Sequence, residues 1–271
     1  MSINRKELKQ QAREAMRQAK PRPYWIALLY FVIIAVLGVL STTISGDWEA
    51  YQKMFDAAMS GAVPSVPTAG NNSFIGGVLS LALEVMSIEL GVGFTIYTLR
   101  VWRRMKAGAG DLFDSFGIFF RALWINILVS FIIGLWVLLY SLPVGVLMGV
   151  TVAAGNVEIA PWILVLGLPL LIPMWVASYA YRQSVFIMLD NPQLTCLQCV
   201  MLSKRMMKGY KWKLFVLDLS FIGWIILSII PFVAFWVIPY MEITCAGYYD
   251  RLTQQYAIEN APPVQPEPPA V

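Results

Sequence analysis

The stretch SFIGGVLSLALEVMSIELGVGFTIYTL, residues 73–99, followed at once by Arg100, Arg103, Arg104 and Lys106, decides the fold. At 1.5 Å of rise per residue the run is long enough to cross the roughly 30 Å hydrocarbon core of a bilayer. The basic cluster that stops it marks the side on which the helix emerges. A soluble chain has no use for such a run, and the whole composition agrees. Of 271 residues 58% are hydrophobic and 13% charged, with a mean hydropathy of +0.65, against roughly 25% charged in soluble domains.

Outward from this run the pattern repeats. Residues 24–42 form an apolar stretch with no clear small-residue cleavage site, and so read as a retained span rather than a signal peptide. Later runs fall at 122–150, 162–188, 214–230 and 232–249. The last two are separated at Pro231, because 214–249 as one straight helix would be about 54 Å long, too much for one ordinary span. Pro143, Pro169 and Pro173 are expected to kink or divide their helices. The fold class that follows is all-α, a polytopic transmembrane bundle of about six spans with amphipathic interfacial helices.

Charge sets the orientation. Arg5, Lys6, Lys9, Arg13, Arg17, Lys20 and Arg22 precede the first span, and Lys6, Lys9, Arg13, Arg17 and Lys20 share one face of a helix over 1–22. With six spans, nineteen of the twenty Lys and Arg residues fall on one side and only Lys53 on the other, which places both termini in the cytoplasm. Residues 111–120 predict a short interfacial helix through Leu112, Phe116, Phe119 and Phe120, and residues 192–208 a second one stopped by Gly209. Trp25, Trp102, Trp124, Trp162 and Trp212 sit at span ends, where aromatic belts form. The Pro-rich tail, 253–271, reads as largely disordered.

The segment SKRMMKGYKWKLFVLDLSFIGW at 203–224, followed by Pro239 to Glu242 and the pair Tyr248 and Tyr249, resembles an uncharacterised family of bacterial integral membrane proteins, a domain of unknown function. Asn4 to Leu8, Glu89 to Gly91 and Asp111 to Phe116 match the same pattern. That family is distantly similar to the membrane domain fused to some glycerophosphodiester phosphodiesterases. The resemblance covers most of the chain and implies a six-span, single-domain fold with a cytoplasmic N-terminus, without catalytic residues to carry over. Cys196 and Cys199 stand where the family usually has other residues.

Candidate chemistry lies in the ionisable groups of the apolar runs, each of which costs at least ~2.5 kcal/mol at mid-bilayer. Glu84 shares a stripe with Ser80, Ser87, Gly91, Thr95 and Thr98, which is expected to face the bundle or a wet cavity. Glu89 lies roughly 140° round the helix from Glu84, nearer Gly93. Arg182, Asp218 and Glu242 lie at similar depths and, with Glu89, are placed to meet. One reading is a site for a headgroup, proton or small cation; the other is ion pairing, Glu89 with Arg182 for example, that holds helices in register.

The chain has no histidine and three cysteines. Cys196 and Cys199 form a lone C-x-x-C without the surroundings of a redox motif. No cofactor, metal, nucleic-acid partner or enzymatic activity is expected. The expected partners are the bilayer and, on the basic faces, anionic lipid headgroups, with protein partners unassigned. Function then divides between binding or transport of a lipid-like or amphipathic substrate and a non-catalytic scaffold or regulatory partner.

Overall fold

The computed structural model describes residues 4–45, 74–155, 171–229 and 231–260, with isolated positions between 52 and 59 and between 158 and 167. The described residues form ten α-helices and two 3-10 turns, with no strand among them. Most of 46–73 and of 156–170, including the start of the run 162–188, and the tail beyond 260 lie outside the described residues.

Helix α1, Arg5–Gln18, begins where the Asn4 side chain accepts a hydrogen bond from the Lys6 amide at 3.1 Å, satisfying one of the first-turn donors that a helix leaves unpaired. Leu8, Ala12, Ala15 and Met16, at three- and four-residue spacing, form its buried face and pack it on the last helix. Pro23 opens α2, Pro23–Ser45, at the position where proline's missing N–H costs nothing. Helix α3 runs Phe74–Trp102 and α4 Phe119–Ala153. Pro143 lies inside α4, which continues through it rather than dividing.

Three helical stretches, Pro23–Ile44, Phe74–Trp102 and Asp114–Leu139, are long and apolar enough to cross a bilayer. Their apolar side chains are largely uncovered: Val32, Val36 and Val39 on α2, Phe74, Ile75 and Val78 on α3, Leu135, Leu138 and Leu142 on α4. Exposed apolar surface on this scale needs lipid or a partner rather than water.

Between α3 and α4 the chain forms two 3-10 turns, Ala109–Leu112 and Asp114–Ile118, in place of the short α-helix expected over 111–120. The cause is local: the Asp111 carboxylate accepts the Gly108 amide at 3.0 Å, and Arg100 pairs with both Asp111 and Asp114. These contacts hold the tighter turn.

The later runs are interrupted. Within 162–188 the described helix is α5, Leu171–Tyr181, which carries Pro173 in its first turn, where a missing N–H is tolerated. A turn at Arg182 and Gln183 precedes α6, Ser184–Asp190. Helix α7, Cys196–Met206, starts at a reciprocal Thr195/Gln198 cap, and Gly209, at φ +83°, supports the reversal after it. The run 214–230 is split between α8, Lys211–Leu219, and α9, Ile222–Leu227. The final helix, α10, runs Pro231–Glu259. Phe221 meets Tyr240 and Trp224 meets Trp236, with ring centroids 5.2 and 5.4 Å apart, so α8 and α9 lie antiparallel to α10 and the chain reverses just before Pro231.

The basic end is the well-packed part of the molecule. Arg103 bridges Asp190 and Asp250, Arg104 reaches Glu14, and Arg251 reaches Glu7. Arg121 donates to the Asn191, Pro192 and Leu194 carbonyls at 2.6–2.7 Å, capping the end of α6.

Candidate functional site

Three of the five ionisable residues singled out in the apolar runs come together. Arg182, at the turn between α5 and α6, pairs with Asp218 of α8. Its other terminal nitrogen donates to the Cys245 sulfur of α10 at 3.3 Å. The Tyr179 hydroxyl donates to Asp218 Oδ2 at 2.9 Å. Glu242, three residues before Cys245 on α10, feels the charges of both Arg182 and Asp218. The guanidinium pairs with one carboxylate, Asp218, and Glu242 lies in the vicinity without an ion pair to it. Tyr179 and Cys245 were not apparent as members, although each lies one helical turn from a residue that was.

Glu89 is not part of this cluster. It is fully buried and neither carboxyl oxygen has a hydrogen-bond partner; no Glu89–Arg182 ion pair forms, because Arg182 is already held by Asp218. The physical reason is rotation about α3. Glu89 shares the face of Gly93, and a Cβ on Gly93 would sit 2.0 Å from the Leu112 carbonyl oxygen. That face is thus pressed against the first 3-10 turn. Ser115, Gln183 and Ser184 are also buried with polar atoms lacking partners, each a cost of about 1–3 kcal/mol.

Glu84 is exposed on α3 rather than enclosed, one turn beyond Ser87. The rest of its stripe has a different setting. Ser87, Gly91 and Thr95 line an open groove of about 490 Å³ with Tyr30 and Ile34 of α2, Asn126 of α4 and Val185 of α6. Tyr30 stacks on Phe94 at 4.8 Å, and its hydroxyl stands 3.8 Å from where a Gly91 Cβ would be. The hydroxyls of Ser87 and Thr95, and one N–H of the Asn126 amide, are donated to carbonyls of their own helices at 2.8–3.1 Å. The groove wall is therefore mainly apolar, with hydroxyl and amide oxygens set into it.

At the basic end, the hydrogen bonds that Arg103 donates to Asp190 hold its guanidinium well above its ordinary pKa, against the opposing effect of burial. Cys196 and Cys199 are buried free thiols, and burial pushes the Cys199 thiol up, away from the thiolate that redox and metal chemistry require. No group of three or more metal-ligating side chains occurs among the described residues.

No curated protein and no solved structure matches this chain. The profile of the family described as "Protein of unknown function (DUF975)" matches residues 1–256, so the match runs from α1 into the last turns of α10 and takes in the groove and the Arg182 cluster, and the chain belongs to that family.

Proposed function

We propose that this chain is a multi-pass protein of a bacterial plasma membrane, basic end inward, that binds or moves a lipid-like amphipathic molecule within the bilayer. The observation that carries the reading is the groove of about 490 Å³ between α2, α3, α4 and α6. Its volume is in the range of small-molecule sites, and like them it combines apolar walls with a few polar atoms. It opens among helices whose other apolar faces are bare. The breaks at Arg182 and at Ser220 favour the reading too, since interrupted helices supply polar groups at membrane depth in transporters. Six spans follow if the runs containing α5 and α6, α8 and α9, and α10 cross as well; the hairpin at Pro231 then returns the C-terminus to the cytoplasm. We assign no catalytic role.

Native mass spectrometry of the full chain from mild detergent, wild type against Gly91→Leu, tests this. Leucine at 91 projects into the groove. A retained lipid or amphipath lost in the variant is the expected result. Retention that is equal in both would refute the groove, and a retained protein in place of a lipid would favour the scaffold reading.

A further inference from the structure

Helix α1 carries more positive charge than its surroundings neutralise. Its two acids are already engaged, Glu7 with Arg251 and Glu14 with Arg104. Among the described residues no carboxylate pairs with Arg5, Lys6, Lys9 or Arg13. Two of these lie on aromatic rings instead. The Lys9 ammonium stands 4.0 Å from the centre of the Phe221 ring and donates to the Ser220 carbonyl at 2.9 Å; Arg13 lies over Tyr240 and donates to its hydroxyl. Burial, reinforced by the charges of Arg13 and Arg5, lowers the Lys9 pKa.

Beside these residues is a pocket of about 320 Å³, lined by Asn4, Arg5, Lys6, Lys9 and Ser220. Arg5 and Lys6 are exposed at its rim. Its far wall is the break between α8 and α9, flanked by exposed Leu219 and Ile222. A basic pocket bordered by bare apolar side chains suits a ligand with an anionic head and an apolar body.

We propose that this pocket binds a phosphate anion, carried by the headgroup of an anionic lipid whose chains lie along Leu219 and Ile222. Arg5 supplies planar paired donors and Lys6 a mobile point charge, while Lys9 is held in place by Ser220 and Phe221. The pocket shares no residue with the groove between α2, α3 and α4, so either site stands or falls without the other.

The test uses the full chain in phosphatidylcholine micelles titrated with phosphatidylglycerol, bound lipid being counted by native mass spectrometry. R5Q/K6Q removes two charges from the pocket, and R17Q/K20Q removes two from the last turn of α1 and the residues just after it. At about fivefold per charge, R5Q/K6Q should weaken phosphatidylglycerol retention about thirty-fold, while R17Q/K20Q changes it only slightly. Ser220→Leu, which narrows the pocket without changing charge, should reproduce the loss if R5Q/K6Q folds poorly. Displacement of bound phosphatidylglycerol by inorganic phosphate would support the phosphate chemistry with a soluble source; phosphatidylglycerol that stays bound against excess inorganic phosphate supports the lipid. Equal weakening by the two double variants, or undiminished retention in R5Q/K6Q and Ser220→Leu, would overturn the proposal.

Discussion

Replacing Gly93 by alanine puts the closest packing in the molecule to a quantitative test. The new Cβ would stand 2.0 Å from the Leu112 carbonyl oxygen, 2.5 Å from its carbonyl carbon and 2.9 Å from its Cα. A carbon–oxygen contact sits near 3.3–3.6 Å, so helix and turn must separate by more than about 1 Å. The turn is poorly placed to retreat, because Asp111 binds Arg100 and the Gly108 amide and Leu112 is fully buried. Overpacking against fixed backbone costs up to about 3 kcal/mol, while the gain in helix propensity returns at most about 1 kcal/mol. The net is roughly 2 kcal/mol of destabilisation. Gly77, on the same helix, has nothing within 4 Å of its Cβ position, so Gly77→Ala should be neutral or stabilising by up to about 1 kcal/mol. Unfolding in mixed micelles of mild detergent and dodecyl sulfate, followed by circular dichroism, should rank Gly77→Ala above wild type and Gly93→Ala well below it. A Gly93→Ala protein as stable as Gly77→Ala would refute the helix-to-turn contact.

Asp218→Asn should destabilise by about 3 kcal/mol or more, since it removes the carboxylate partner of Arg182 and Tyr179; a double-mutant cycle between Glu89 and Arg182 should instead show coupling below about 0.5 kcal/mol, and strong coupling would mean that the two side chains meet after all. Cys196 and Cys199 should react with maleimide far more slowly than a cysteine introduced at the exposed Leu197, and similar rates would show that α7 is not docked. Cysteines introduced at Ser65 and Asn156 should be labelled by an impermeant reagent on intact cells and one at Gly108 should not, with a reporter fused after Val271 behaving as cytoplasmic; labelling at Gly108 would reverse the orientation. The Tyr210 hydroxyl, 2.6 Å from Glu259, holds that carboxyl below its ordinary range, so its contribution is complete above the ordinary range and is lost as pH falls through the lowered value. Tyr210→Phe should therefore move the Glu259 titration upward in a carboxyl-selective carbon NMR experiment, and an unmoved titration would rule out the contact.

The long apolar helices could be read from the chain because continuous hydrophobicity is a local property. The breaks in the later runs could not. Neither Arg182–Gln183 nor Ser220–Phe221 contains glycine or proline, and both turns depend on distant partners: Asp218 for Arg182 and Lys9 for the Ser220 carbonyl. Similar depth along the chain brought Arg182, Asp218 and Glu242 into one candidate site, and the structure gathers those three. Depth says nothing about rotation, which is why Glu89, pressed toward the 3-10 turn, stands apart. The Ser87, Gly91 and Thr95 stripe pointed to a cavity-facing side of α3, and the groove lies along it. Glu84, farther out, is left exposed.

The way α1 is held has a consequence for how the protein is made. Its anchors come from far along the chain: Ser220 for Lys9, Tyr240 for Arg13 and Arg251 for Glu7. While the ribosome is still translating the middle of the protein, α1 has no α10 to cover Leu8, Ala12, Ala15 and Met16. Synthesis of α10 ends that period by closing over α1, so a ribosome stalled before Tyr240 should leave the basic helix open to protease.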